Sequence, residues 1–204
     1  MTEENDPTIV NEPMALYNKK WTYSDYLKFD FDYMVELIHG HIYKMTPAPN
    51  SWHQEILGDL HVEFRKCFSD HPCKVYLSPF DVILPVANEK RNTSTTVVQP
   101  DLCVICDLSK IEKAGCFGPP DLVVEILSPH TSKKDIDKKH EIYEEVGVKE
   151  YWIVFPMERL IQVFFLKNNS YKKVRTYTYE DSISSELFPE LEIALEPILQ
   201  EWGT

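Results

Sequence analysis

Two periods of apolar spacing alternate along this chain, and each marks a different kind of element. From Ser51 to about Phe68, Trp52, Ile56, Leu60, Phe64 and Cys67 recur at steps of three and four, the spacing of a single helix face. A second helix is predicted over SKKDIDKKHEIYEEVG, with Ser132 as N-cap and Gly147 as stop, and a short one over YSDYLKF behind Thr22. Strands are read from short β-branched and aromatic runs. VELIHGHIYKM divides into two around a His39-Gly40 turn. CKVYLS and FDVILPV are separated near Pro79, and VVQPDLCVICD is one strand interrupted at Pro100. KEYWIVFP, RLIQVFFLKN and YKKVRTYTY follow later. DLVVEILS is nearly all apolar, so it is expected at the centre of a sheet, covered on both faces. Residues 87–96 and 107–120 read as loops, and LFPELEIALEPILQEW as an apolar, acidic tail packed back on the body. This order predicts an α/β (α+β) fold, a mixed central sheet flanked by helices with additional antiparallel strands.

Composition changes this picture little. The 204 residues are 43% hydrophobic, enough for one core without disulfide or metal staples. A single domain over 21–204 is expected behind a flexible acidic arm, residues 1–20. No apolar run approaches the ~20 residues of a membrane span, and the N-terminus lacks the basic and apolar regions of a secretory signal. A cytoplasmic protein is the expectation. The five cysteines are an odd number, and Cys103 and Cys106 of LCVICDL lie three apart on a strand, facing opposite ways. They read as ordinary buried thiols rather than a zinc or redox pair.

The net charge of -12 argues against a polyanion partner less than it first suggests. Residues 1–15 and 180–204 together carry eleven of the 33 acidic residues and no Lys or Arg, so the stretch between them is nearly neutral. That stretch repels a nucleic acid weakly, yet shows no obvious basic footprint.

Candidate chemistry centres on Glu125, an ionisable group inside an apolar strand, where a carboxylate is costly unless a cation or several donors meet it. Solvent or an Arg partner would also serve. Asp101 opens a strand just after Pro100. If the two strands are neighbours, two carboxylates converge, and a divalent cation is their natural complement. The helix behind the Glu125 strand offers Lys133, Lys134, Lys138 and Lys139, any of which could be a solvated face. A lysine near a metal-bound water could assist its deprotonation or stabilise developing charge. Asp81 alternates into its strand as a weaker candidate, and Asp121, at a strand start, reads as structural.

VVQPDLCVICD, the stretch from Pro119 to Pro156, and VELIHGHIYKM followed by HQEIL together resemble the restriction-endonuclease branch of the PD-(D/E)XK nuclease superfamily. The resemblance covers roughly residues 20–195. It implies a restriction-endonuclease-like fold, a Mg²⁺ or Mn²⁺ site at Asp101 and Glu125, and hydrolysis of DNA. The lysine expected two residues after the glutamate is replaced by Leu127. The resemblance implies that its place is taken from the following helix by Lys139 of the D-x-x-x-K run begun by Asp135, with Lys138 as runner-up. Glu36, His53 and Gln54 match supporting positions of the family. A homodimer would suit cleavage of two strands. The competing expectation is a catalytically inactive nuclease-like binding or assembly module.

Overall fold

The computed structural model describes residues 19–45, 50–128 and 133–201. Its first half runs α1 (Tyr23–Tyr26), β1 (Val35–Ile38), β2 (His41–Lys44), α2 (Ser51–Cys67), β3 (Lys74–Leu77), β4 (Val82–Leu84), β5 (Thr96–Val98) and β6 (Leu102–Ile105). The second half runs β7 (Ile111–Glu112), β8 (Gly115–Phe117), β9 (Leu122–Ile126), α3 (Lys133–Val146), β10 (Glu150–Phe155), β11 (Leu160–Lys167), β12 (Ser170–Thr178), β13 (Ser182–Ser184) and β14 (Glu192–Ala194).

Two six-stranded sheets carry the fold, ordered β2-β1-β5-β4-β8-β7 and β12-β11-β10-β9-β6-β3; β13 and β14 pair separately. The run DLVVEILS is the interior β9, buried at every position, parallel to β10 and antiparallel to β6. Its alternating side chains face two cores. Leu122, Val124 and Ile126 join α2's Ile56, Leu60 and Phe64, together with Leu191, Leu195 and Leu199 of the tail. Val123 joins Ile142 and Tyr143 of α3, and on that side Val82, Leu84 and Val98 of the first sheet close the same core. The tail therefore packs back as its apolar residues predict. Asn50 caps α2 by accepting from the His53 amide.

Three expectations need correction. Pro100 does not interrupt one strand: β5 lies in the first sheet and β6 in the second, and Gln99-Pro100-Asp101 is where the chain crosses between them. The loop 107–120 contains the small β7–β8 hairpin. Gly115 there has φ +138, and a Cβ on it would stand 2.2 Å from the Asp81 carbonyl oxygen, so the hairpin seats against the start of β4 only with glycine. Finally, Cys106 is not a free thiol. It is joined to Cys73, the residue facing it one step beyond the Lys74–Ile105 pair of the β3–β6 ladder. Cys103 does stay a buried thiol on the opposite face. The predicted N-cap Ser132 and most of the expected arm, residues 1–18, lie outside the described residues. Gly147 closes α3 as expected, its amide reaching the Tyr143 carbonyl at 3.2 Å.

Candidate active site

Register places the two carboxylates together. Leu102 pairs with Val124 across β6 and β9, so the next position of the ladder sets Asp101 opposite Glu125, on the face that α3 covers. The Asp101 carboxylate is fastened there, its Oδ2 accepting from the Ile126 amide at 2.7 Å. From the other side of the sheet α2 presents His53, whose Nε2 lies 3.4 Å from the same Oδ2. Asp101 Oδ1 carries no hydrogen bond among the described residues.

On α3, Lys139 and Tyr143 are separated by one helical turn and share a face. The Lys139 ammonium donates to Glu125 Oε1 at 3.0 Å and Oε2 at 3.2 Å, and stands 3.0 Å from Glu36 Oε1 on β1. Tyr143, fully buried, donates its hydroxyl to Glu125 Oε1 at 2.7 Å. Lys138, turned about 100° away on the helix, donates to the Tyr43 hydroxyl at 2.9 Å instead. Of the two candidate lysines, Lys139 is thus the one bonded to the glutamate.

Glu36 has a second tie, to the Gln99 amide at 2.8 Å. The Gln99 side chain is held in turn by Asp81, which also accepts from the Tyr26 hydroxyl at 3.0 Å. Asp81 thus supports the site from behind. Asp121 caps the start of β9, accepting from the Cys106 amide and from Lys149. Gln54 is exposed on α2 and joins none of these bonds. The side chain of Asp135 lies outside the described residues. Tyr143 and Gln99 were not singled out from the sequence. A tyrosine four residues after Lys139 was the available signal, because that spacing repeats a helix face.

The electrostatics follow from crowding. Burial pushes the Glu125 carboxyl up to about 7; Lys139 pulls it down, while Asp101 and Glu36 push it up further. Burial works against the Lys139 ammonium, but Glu125, Glu36 and Asp101 outweigh it and hold the proton more tightly than usual. Burial likewise opposes charge on His53, and the Asp101 contact together with Glu125 reverses this, raising it. Three carboxylates thus converge on one lysine, and the cluster favours added positive charge.

Among the described residues no group of three or more His, Cys, Asp or Glu is arranged to hold a metal ion. Asp101 and Glu125 offer two carboxylates, donors of the kind that hard divalent ions such as Mg²⁺ or Mn²⁺ take through oxygen.

A family model spanning residues 23–196 matches this chain. The chain belongs to the Uma2 family. That family is described as "putative restriction endonuclease". No curated protein matches this Uma2 chain. Among solved structures it is similar to a "putative nuclease belonging to DUF820" from Anabaena variabilis, with a TM-score of 0.70 and 19% identity, covering 87% of this chain and 97% of that one. At that identity the likeness shows the fold: the mixed-sheet, nuclease-like architecture expected from the sequence. Among the described residues no helix is long and apolar enough to cross a membrane.

Proposed function

We propose that this chain is a metal-dependent endonuclease that hydrolyses phosphodiester bonds in DNA. The observation that carries this reading is the meeting of Asp101, Glu125 and Lys139: two carboxylates opposed across a ladder, one of them bonded to the lysine at 3.0 Å. Asp101 and Glu125 would hold Mg²⁺ or Mn²⁺, which when bound supplies Lewis acidity and a water of lowered pKa. The remaining work falls to side chains. Asp101 keeps Oδ1 available because Oδ2 is tied to the Ile126 amide. Glu125 keeps Oε2 the less engaged oxygen because Tyr143 and Lys139 both bond Oε1. Lys139, held protonated by its carboxylates, acts as a fixed cation beside the negative charge that grows on the scissile phosphate, not as a base. His53 and Glu36 orient Asp101 and Lys139 respectively.

Purified protein with Mg²⁺ or Mn²⁺ should nick supercoiled plasmid DNA, and Glu125→Ala should not. Full activity in that variant would overturn the assignment. One observation favours a second reading, a non-cleaving binding or assembly module: Lys139 lies 3.0 Å from both Glu36 and Glu125 and so itself supplies a counter-charge to the carboxylates. Titration with Mn²⁺ separates the two, since a module of that kind needs no Mn²⁺ affinity dependent on Asp101. A homodimer would supply one such site for each strand of a duplex.

A further inference from the structure

Glu36 is held in the candidate site by a peptide whose own side chain is anchored on the far face of the first sheet. On β1, Ile38 belongs to the core shared with α3 and Leu37 to the opposite one, so Glu36, in step with Ile38, faces inward. There its Oε1 meets Lys139 and accepts from the Gln99 amide. The Gln99 side chain goes the other way. Val98 of β5 belongs to the inner core and Val97 to the outer, so Gln99, in step with Val97, points outward. The β4–β5 ladder pairs Val82 with Val98, and its next step sets Asp81 opposite Gln99. Gln99 Nε2 donates to Asp81 Oδ1 at 2.8 Å, and the Tyr26 hydroxyl donates to the same oxygen at 3.0 Å.

This grip has one orientation. A carboxylate accepts hydrogen bonds and cannot donate, so turning the amide would set its oxygen against Asp81. The orientation is kept although Gln99 is 8% exposed and its Oε1 has no partner among the described residues, an arrangement that lowers stability. A nonpolar side chain would fill this place without that loss, so the amide is explained by what its nitrogen holds. Asp81 is a firm anchor: its carbonyl accepts from the Cys116 amide at 2.8 Å, and Gly115 packs against it. Pro100 follows Gln99, and a residue before proline is confined to extended backbone, so the orientation of Gln99 is passed on to Asp101. We propose that Gln99 is a positioning residue, clamped by Asp81 and Tyr26 so that its peptide fixes Glu36 and Asp101, and through Glu36 the place of Lys139 beside Glu125. The inference rests on the hydrolytic reading for its consequence in catalysis and extends it to a side chain on the far face of the sheet.

Mn²⁺ affinity, read by calorimetry well below the melting temperature, and stability in EDTA test it together. Gln99→Glu sets two carboxylates against each other and should weaken Mn²⁺ binding roughly tenfold, as loss of an outer support does. Adding Asp81→Asn reverses the polarity of the same bond, restores the wild-type charge and should recover most of that affinity. Gln99→Met, close in shape, removes the donor and serves where Gln99→Glu does not fold. The Gln99 and Lys139 side chains share no bond among the described residues, so independent losses of melting temperature in EDTA would add. Gln99→Met and Lys139→Met combined should instead lose less than the sum. Wild-type Mn²⁺ affinity in the folded single variants, no recovery in the Gln99→Glu/Asp81→Asn chain, or additive losses in EDTA would overturn the positioning role. A wild-type chain with no Mn²⁺ affinity but coupled losses in EDTA upholds that role while sinking the hydrolytic reading.

Discussion

Tyr143 and Lys139 close on the same oxygen of Glu125, at 2.7 and 3.0 Å, from adjacent turns of one helix. The tyrosine is fully buried and its ring packs against Tyr151, so its hydroxyl has little freedom to bond elsewhere. Tyr143→Phe keeps that packing and removes one donor from a buried carboxylate. A loss of about 1–3 kcal/mol is expected from chemical denaturation. Mn²⁺ binding should weaken as well, because Glu125 is then freer to turn its less engaged oxygen away. Unchanged Mn²⁺ affinity would reduce Tyr143 to packing alone.

Lys139 bridges Glu125 and Glu36, two of the few buried carboxylates among the described residues. Removing the cation leaves both uncompensated, a change that typically costs about 3–5 kcal/mol. Lys139→Met, which keeps most of the side-chain volume, should lower the melting temperature in EDTA. Added Mn²⁺ should recover more stability in the variant than in the wild type, since binding to the folded state alone stabilises it. A Lys139→Met chain as stable as the wild type in EDTA would show that the pair contributes nothing to folding.

Asp101 has two separable duties, accepting from the Ile126 amide and presenting its other oxygen. Asn retains an acceptor for the amide but has no charge for a cation. Asp101→Asn should therefore melt within a few degrees of the wild type while losing Mn²⁺ binding and DNA cleavage. Cleavage at the wild-type rate would remove Asp101 from the proposed metal site.

The parts of this site legible from the sequence are those whose signal is local. Glu125 stood out because a carboxylate in DLVVEIL contradicts its surroundings, and β9 proved interior for the same reason. Lys139 was harder, since Lys138 has the same chemistry; only the helix's rotation relative to β9 separates them. The Cys73–Cys106 disulfide is not legible locally, because its two cysteines lie 33 residues apart and meet only through the β3–β6 register. Pro100 looked like a break in one strand because nothing local distinguishes a bulge from a crossing between sheets.

Glu150 supplies a test of the fold that is independent of the candidate chemistry. It opens β10 at 1% exposure, and its carboxylate ties that strand to the tail. Oε1 accepts from the Trp152 indole at 2.7 Å, and Oε2 from the Ser185 hydroxyl at 2.8 Å and the Leu187 amide at 3.0 Å. Burial nevertheless prevails over these donors and raises the pKa of the carboxyl. The folded chain then holds this proton more tightly than the unfolded one. Its contribution to stability is complete below the ordinary glutamate value of about 4.3 and declines as pH rises through the raised folded value. Glu150→Gln carries no such titration. Thermal melts from about pH 4 to 7 should show the wild type's advantage over Glu150→Gln shrinking as pH climbs. An advantage that grows with pH would mean that the three donors outweigh burial and that the charged form is the one the tail is built around.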